Sequence, residues 1–163
     1  MYQGKFLAIT FGCLFLLMFS SHLFAQEDAT KKRIAFMRGN YDDVKAIKRA
    51  IESKDYATVE LKAKDIMGNM DKVLDYFPKG SLGEKSRAKA EIWENWDAFS
   101  KLPVKVKDVA NGLAKAAAAK DEAGVEAQFK ALALDGNPYR VGACADCHKT
   151  YFNNPPAVKK TDG

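Results

Sequence analysis

The chain has 163 residues and a formal net charge of +5, which is enough for one domain with a modest core. No single face or tract is overwhelmingly basic, so the charge does not suggest nucleic-acid binding. Nothing resembles a nucleophile–base pair or a convergent set of carboxylates, so no enzymatic turnover is expected.

Residues 1–25 read as a secretory signal peptide. A short polar stretch with Lys5 precedes an apolar run from Phe6 to Phe19 and a Ser20-Ser21-His22-Leu23-Phe24-Ala25 tail. The run is too short and wrongly flanked for a permanent span. Cleavage is placed after Ala25, and a retained N-terminal anchor is the alternative. Cys13 lies inside the run, which argues against its lipidation. Only Lys5 among the basic residues would be lost, so the mature chain stays mildly basic.

Residues 26–152 read as one helical domain without linker or repeat. Apolar positions recur at steps of four and three. The first stripe is Ile34, Met37, Tyr41, Val44 and Ile51, with Lys48 interrupting. The second is Val59, Ala63, Ile66, Met70, Val73 and Phe77. The third carries Ile92, Trp96, Phe99, Val106, Ala110, Leu113 and Ala117. The fourth has Val125, Phe129 and Leu132, then Val141, Cys144, His148 and Tyr151. Such stripes bury one face of each helix in an all-α, antiparallel up-down-up-down four-helix bundle. Breaks fall near Ser53-Lys54-Asp55, across residues 78–83 and around Lys120-Asp121. Pro103 should kink or interrupt the third helix. Asp135-Gly136-Asn137-Pro138 looks like a stop and restart, with Asn137 as N-cap and Pro138 at the first helical position. Residues 153–163, with Pro155-Pro156 and Lys159-Lys160, read as a flexible tail.

Cys144-Ala145-Asp146-Cys147-His148 is a C-x-x-C-H run, the attachment signature of one covalently bound haem c. Residues three and four apart share a helix face. Cys144 and Cys147 can therefore form thioethers with the two haem vinyl groups while His148 turns its imidazole to the iron. A structural zinc site needs four ligands, and the rest of the chain offers only Cys13 and His22, both in the segment expected to be removed. A thioredoxin-like dithiol would want a βαβ context, which is not visible. Haem c is joined outside the cytoplasm, so motif and export signal agree on a periplasmic location, with no membrane attachment after cleavage.

In the expected topology the start of helix 1 and the ends of helices 2 and 4 share one end of the bundle. The haem should there meet Met37, Tyr41, Met70, Val73, Phe77, Trp93, Trp96 and Phe99. The Met37 thioether is well placed to face the iron opposite His148; Met70 is a competitor, and core filling is the alternative role for either. The tryptophans read as core residues walling the haem.

The chain resembles a class II c-type cytochrome, the cytochrome c′ family, over essentially its whole mature length. Besides C-x-x-C-H, Glu91-Ile92-Trp93 with Phe99 resembles the family's segment opening helix 3, and Thr30–Met37 resembles its helix 1 opening. The resemblance implies a distal role for Met37 and haem-edge contact, with a propionate, for Arg33. Family members fall in two branches. Low-spin ones fill the sixth position with methionine and carry electrons; high-spin ones leave it open and bind nitric oxide or carbon monoxide. Met37 favours an electron carrier with His148 and Met37 on the iron, and the gas-binding reading is the alternative. The family commonly has an Arg four residues after the haem His, but Phe152 stands here, so the proximal face should be drier. Lys31, Lys32, Arg33, Lys79, Lys85, Arg87, Lys89, Arg140 and Lys149 gather at the haem end, which suits a redox partner protein with an acidic docking surface. The resemblance also leaves open a homodimer.

Overall fold

The computed structural model describes the backbone of residues 6–153 apart from 84, 134, 135, 138 and 140, with side chains described from Glu27 onward. The expected signal peptide and most of the expected tail thus lie outside the residues whose side chains are described. Among the described residues, seven α-helices follow in order: α1 Phe6–Glu52, α2 Tyr56–Met70, α3 Glu91–Glu94, α4 Trp96–Phe99, α5 Leu102–Ala118, α6 Glu122–Leu132 and α7 Ala143–Tyr151, with a 3₁₀ turn at Val73–Tyr76. Among the described residues there is no strand, only an isolated antiparallel bridge between Ala88 and Phe152. The arms α1, α2, α5 and α6–α7 form a four-helix bundle in which α2 packs against both α1 and α5, and α5 against α6.

The two short corners have the same construction. Lys54 and Lys120 adopt the left-handed conformation (φ 56° and 54°) that ends a helix. The next residues, Asp55 and Asp121, donate back to Ala50 O and Ala116 O at 2.8 and 2.9 Å. Each aspartate then caps the following helix, accepting from Thr58 N at 3.1 Å and Gly124 N at 3.0 Å. A Lys54–Glu122 ion pair of 2.9 Å links the two corners, so both lie at the same end. Both side chains are exposed, and such a pair adds little stability.

The third arm starts later than its stripe. Pro103 does not kink a long helix; it sits in the first turn of α5, where its missing N–H has no partner to lose. The preceding residues form the separate short turns α3 and α4. The fourth arm is split, but its restart is not at Asn137. Asn137 Oδ1 accepts from Tyr139 N at 2.9 Å in a local turn, and Gly142 precedes α7 instead. Pro138 lies outside the described residues. The first arm also turns differently from its stripe: Val44 is buried as expected, but so are Arg33, Ile47 and Ala50 outside the stripe, while Ile34 and Tyr41 are exposed. Val141 of the fourth stripe is exposed as well.

Two apolar clusters result. One joins Val44, Ile47, Val59, Ile66, Leu113, Val125 and Leu132 through the corner half of the bundle. The other gathers Val73, Phe77, Ala88, Ile92, Phe99 and Tyr151 at the opposite end. Phe99 is its hub, with Phe77 and Tyr151 edge-on at 4.9 and 5.3 Å.

Gly142 is where the chain needs glycine. Its φ is 103°, and a Cβ there would lie 2.6 Å from Leu132 O at the end of α6. Gly142→Ala should therefore cost about 2 kcal/mol or more and lower Tm by roughly 4–8 °C, as thermal unfolding followed by circular dichroism would record.

Candidate functional site

The site is built on α7. Ala143 and Ala145 are small enough to be buried against the bundle, and Asp146 pairs with Lys105 of α5. The C-terminal turn is tied down by backbone contacts. Lys89 N donates to Tyr151 O at 3.0 Å and Asn153 N to Arg87 O at 2.8 Å, while Lys89 Nζ donates to Thr150 O at 3.0 Å. Carbonyls that a helix end leaves without partners are thereby satisfied. So seated, α7 straddles the two apolar clusters: Cys144 packs against the first and Cys147 against the second.

Beside α7 lies a cavity of about 370 Å³ bounded by α1, residues 86–88 and the α7 end. A smaller compartment of about 80 Å³ adjoins it toward α2 and α5. Met37, Tyr41, Phe99, Tyr139, Cys147 and His148 line both, and Cys144 lines the smaller. The structure thus brings Cys144, Cys147, His148, Met37 and Arg33, the residues singled out from the sequence, to the walls of these two adjoining compartments. Phe77 also lines the larger compartment, and Met70 and Val73 the smaller. The tryptophans do not line it. Trp93 Nε1 donates to Phe77 O and Pro78 O at 3.1 and 3.0 Å, which turns the indole behind the wall, and Trp96 is exposed.

The polar chemistry of the cavity is unbalanced in an informative way. His148 sits edge-on to Tyr139 at 4.7 Å and to Phe152 at 5.2 Å. Burial pulls its pKa down to about 4, so the imidazole is neutral at neutral pH, the form that binds a metal. Its Nδ1 is buried without a partner. Burial likewise pushes the Cys144 and Cys147 thiols up to about 12, and both are free of disulfide.

Arg33 is only 5% exposed, so it belongs to the cavity wall and not to a basic rim. Its guanidinium lies over Phe77 at 4.7 Å and Trp93 at 5.8 Å, and Nη2 donates to Ser81 O at 2.6 Å. Burial lowers its pKa, with no carboxylate paired to it among the described residues. Nε and Nη1 have no partner, nor does the buried Thr30 Oγ1 one turn earlier. A buried cation and hydroxyl with free donors beside an apolar cavity suit the carboxylate of a large, mostly apolar ligand. Two thiols and an imidazole on one helix face complete a donor set that fits haem c: the cysteines would form the thioethers, His148 would meet the iron, and Arg33 with Thr30 would hold a propionate.

Sequence reasoning gave no cavity role to Thr30, Ser81, Ser86 and Tyr139, and it placed Arg87 at the haem end only as part of a basic rim. Apart from Thr30 they come from segments without helical period, where spacing gives no orientation. The expected basic rim is also thinner than its residue count. Lys31 and Lys32 pair with Glu27 and Asp28 at 3.1 and 2.6 Å, Arg33 is buried, and Arg140 lies outside the described residues. Lys79, Lys85, Arg87 and Lys149 remain exposed without an ion-pair partner among the described residues.

Comparison with known proteins identifies the fold and the family. The family model "Cytochrome C'" matches residues 28–151. A cytochrome c′ of Rhodospirillum rubrum is 37% identical over 90 residues, 55% of this chain and 56% of the relative, so the match spans about half of that protein. Among solved structures, a cytochrome c′ described by its unusual ligand-controlled dimer dissociation superposes with a TM-score of 0.66 at 24% identity, covering 79% of this chain and 97% of its own. A nitric oxide complex of a mutant cytochrome c prime from Alcaligenes xylosoxidans gives 0.64 at 20% identity, covering 80% and 97%.

Covalent attachment is checked chemically. After acidified-solvent extraction, the purified holoprotein should keep its haem on the polypeptide. The Cys144→Ser/Cys147→Ser double variant should release whatever haem it holds. Extractable haem in the unmodified protein would contradict the donor set.

Proposed function

This chain belongs to the cytochrome c′ family and carries one covalently bound haem c, and we propose that it is an exported, gas-binding member with an open distal position. Cys144 and Cys147 hold the haem, His148 holds the iron, and nitric oxide or carbon monoxide binds on the α1 side. The supporting observation is the α1 wall. Ile34, Met37 and Tyr41 all line the cavity, and Met37 is packed against the cluster containing Phe77 and Phe99. A thioether held in apolar packing would serve as a soft lid on the distal side of a bound haem, one that a small uncharged ligand could displace. The bound haem supplies an iron that takes up an electron or one diatomic ligand. The residues do the rest: the apolar wall excludes water, His148 presents a neutral nitrogen, and Arg33 with Thr30 anchors a propionate. That a relative of the same fold is described as a nitric oxide complex supports the same reading.

A second reading keeps Met37 on the iron and makes the protein a low-spin electron carrier. What favours it is that Met37 and His148 line both compartments of the cavity. Its partner would then present acidic groups to Lys79, Lys85 and Lys149. No turnover is assigned in either reading. Homodimer formation is carried over from the relative described by its dimer dissociation. Export through residues 1–25 places the protein in the periplasm; among the described residues, no helix is long and apolar enough to cross a membrane.

Met37→Ala separates the two readings. With an open distal site, the unmodified ferrous protein is high-spin and binds carbon monoxide. Removing the lid then raises affinity about tenfold, or ~1.4 kcal/mol, with little change in the spectrum before ligand is added. If the unmodified protein is low-spin and only Met37→Ala binds carbon monoxide, Met37 is a ligand and the carrier reading replaces this one.

A further inference from the structure

Position 152 carries a phenyl ring, yet a cation reaches the histidine side of the cavity from elsewhere in the chain. Residues 86–89 belong to no helix and are held in place by the end of α7. The Ala88–Phe152 bridge, with Lys89 N on Tyr151 O and Asn153 N on Arg87 O, fixes this short run in register with α7. The Arg87 guanidinium thereby lies over the Phe152 ring, 4.8 Å from its centroid. The Phe152 ring meets His148 edge-on at 5.2 Å and 68°. Arg87, Phe152 and His148 all line the larger compartment.

We propose that Arg87 is a positioning residue for the iron site: it seats Phe152 against His148 and shifts the iron toward the ferrous state. The inference rests on His148 as iron ligand, the assignment made above, and holds whichever group takes the sixth position. Reduction adds one negative charge at the iron centre. A fixed positive charge nearby favours that state, more strongly the less water lies between. An aromatic seat and a backbone ladder keep the guanidinium in place, so little ordering entropy opposes the effect. Arg87 is exposed on its outer side, so the effect is a moderate one, about threefold in the ferrous-to-ferric ratio at fixed solution potential.

The test is a spectroelectrochemical titration of the holoprotein. Arg87→Met should lower the ferrous-to-ferric ratio about threefold, equal to about 28 mV where a tenfold change in a one-electron couple is 59 mV. Arg87→Lys keeps the charge without the planar stack and should show the smaller shift. Phe152→Leu leaves the arginine but removes its seat; it should shift the ratio in the same direction, and Arg87→Met should add little in that background. An unchanged midpoint in Arg87→Met, with native spectrum and melting temperature, overturns the proposal. Should Arg87→Met fail to fold, an unchanged midpoint in Phe152→Leu overturns it equally. The same spectra report the spin state of the unmodified protein, so failure of the open-site reading is visible separately.

Discussion

Everything in this bundle turns on how one nine-residue helix is seated. The groups proposed to take the haem lie at three positions of α7, and a helix face presents all three only if the whole segment is aimed correctly. Two devices aim it. At its start, Gly142 takes a φ open to glycine and lets the chain pass close against the end of α6. At its end, the short ladder to residues 87–89 stops rotation of the last turn. Between them Asp146 is held by Lys105. The bundle supplies a rigid wall, and α7 is clipped to it at both ends.

The cavity is also where the molecule leaves its polar groups unsatisfied. Thr30 Oγ1, two nitrogens of Arg33 and His148 Nδ1 are all buried without partners, and all three residues line the larger compartment. Folded proteins rarely leave such groups unpaired, because each costs on the order of 1–3 kcal/mol. Here they are concentrated in one place beside two unpaired thiols. The arrangement is that of a receptor for a rigid, apolar ligand with acidic edges, which is the character of haem. Elsewhere the ion pairs are mostly surface i,i+3 and i,i+4 contacts that add little.

Much of this was legible from residue spacing. Val59, Ala63 and Ile66, and then Val106, Ala110, Leu113 and Ala117, are buried as their period of 3.6 requires. The corners at Lys54-Asp55 and Lys120-Asp121 carry their own capping chemistry, and C-x-x-C-H lies on a helix beside the cavity. The failures have physical causes. On α1 a cavity competes with the core for the apolar face, so Ile34 and Tyr41 serve the cavity while Ile47 and Ala50 serve the core. Arg33 is buried because aromatic rings and Ser81 hold its guanidinium, which a charge count cannot anticipate. Pro103 opens a helix, and Asn137 makes a turn, because each is also suited to those positions. Tyr139 and Arg87 sit in irregular segments whose geometry is set by distant backbone partners.

In the proposed function, His148 alone would hold the iron on the protein's behalf, with Met37 a lid. Resonance Raman spectroscopy of the ferrous holoprotein, with no added ligand, addresses it directly. An iron–histidine stretching band, characteristic of a five-coordinate high-spin centre, is the predicted result. A six-coordinate low-spin pattern without that band would contradict the claim.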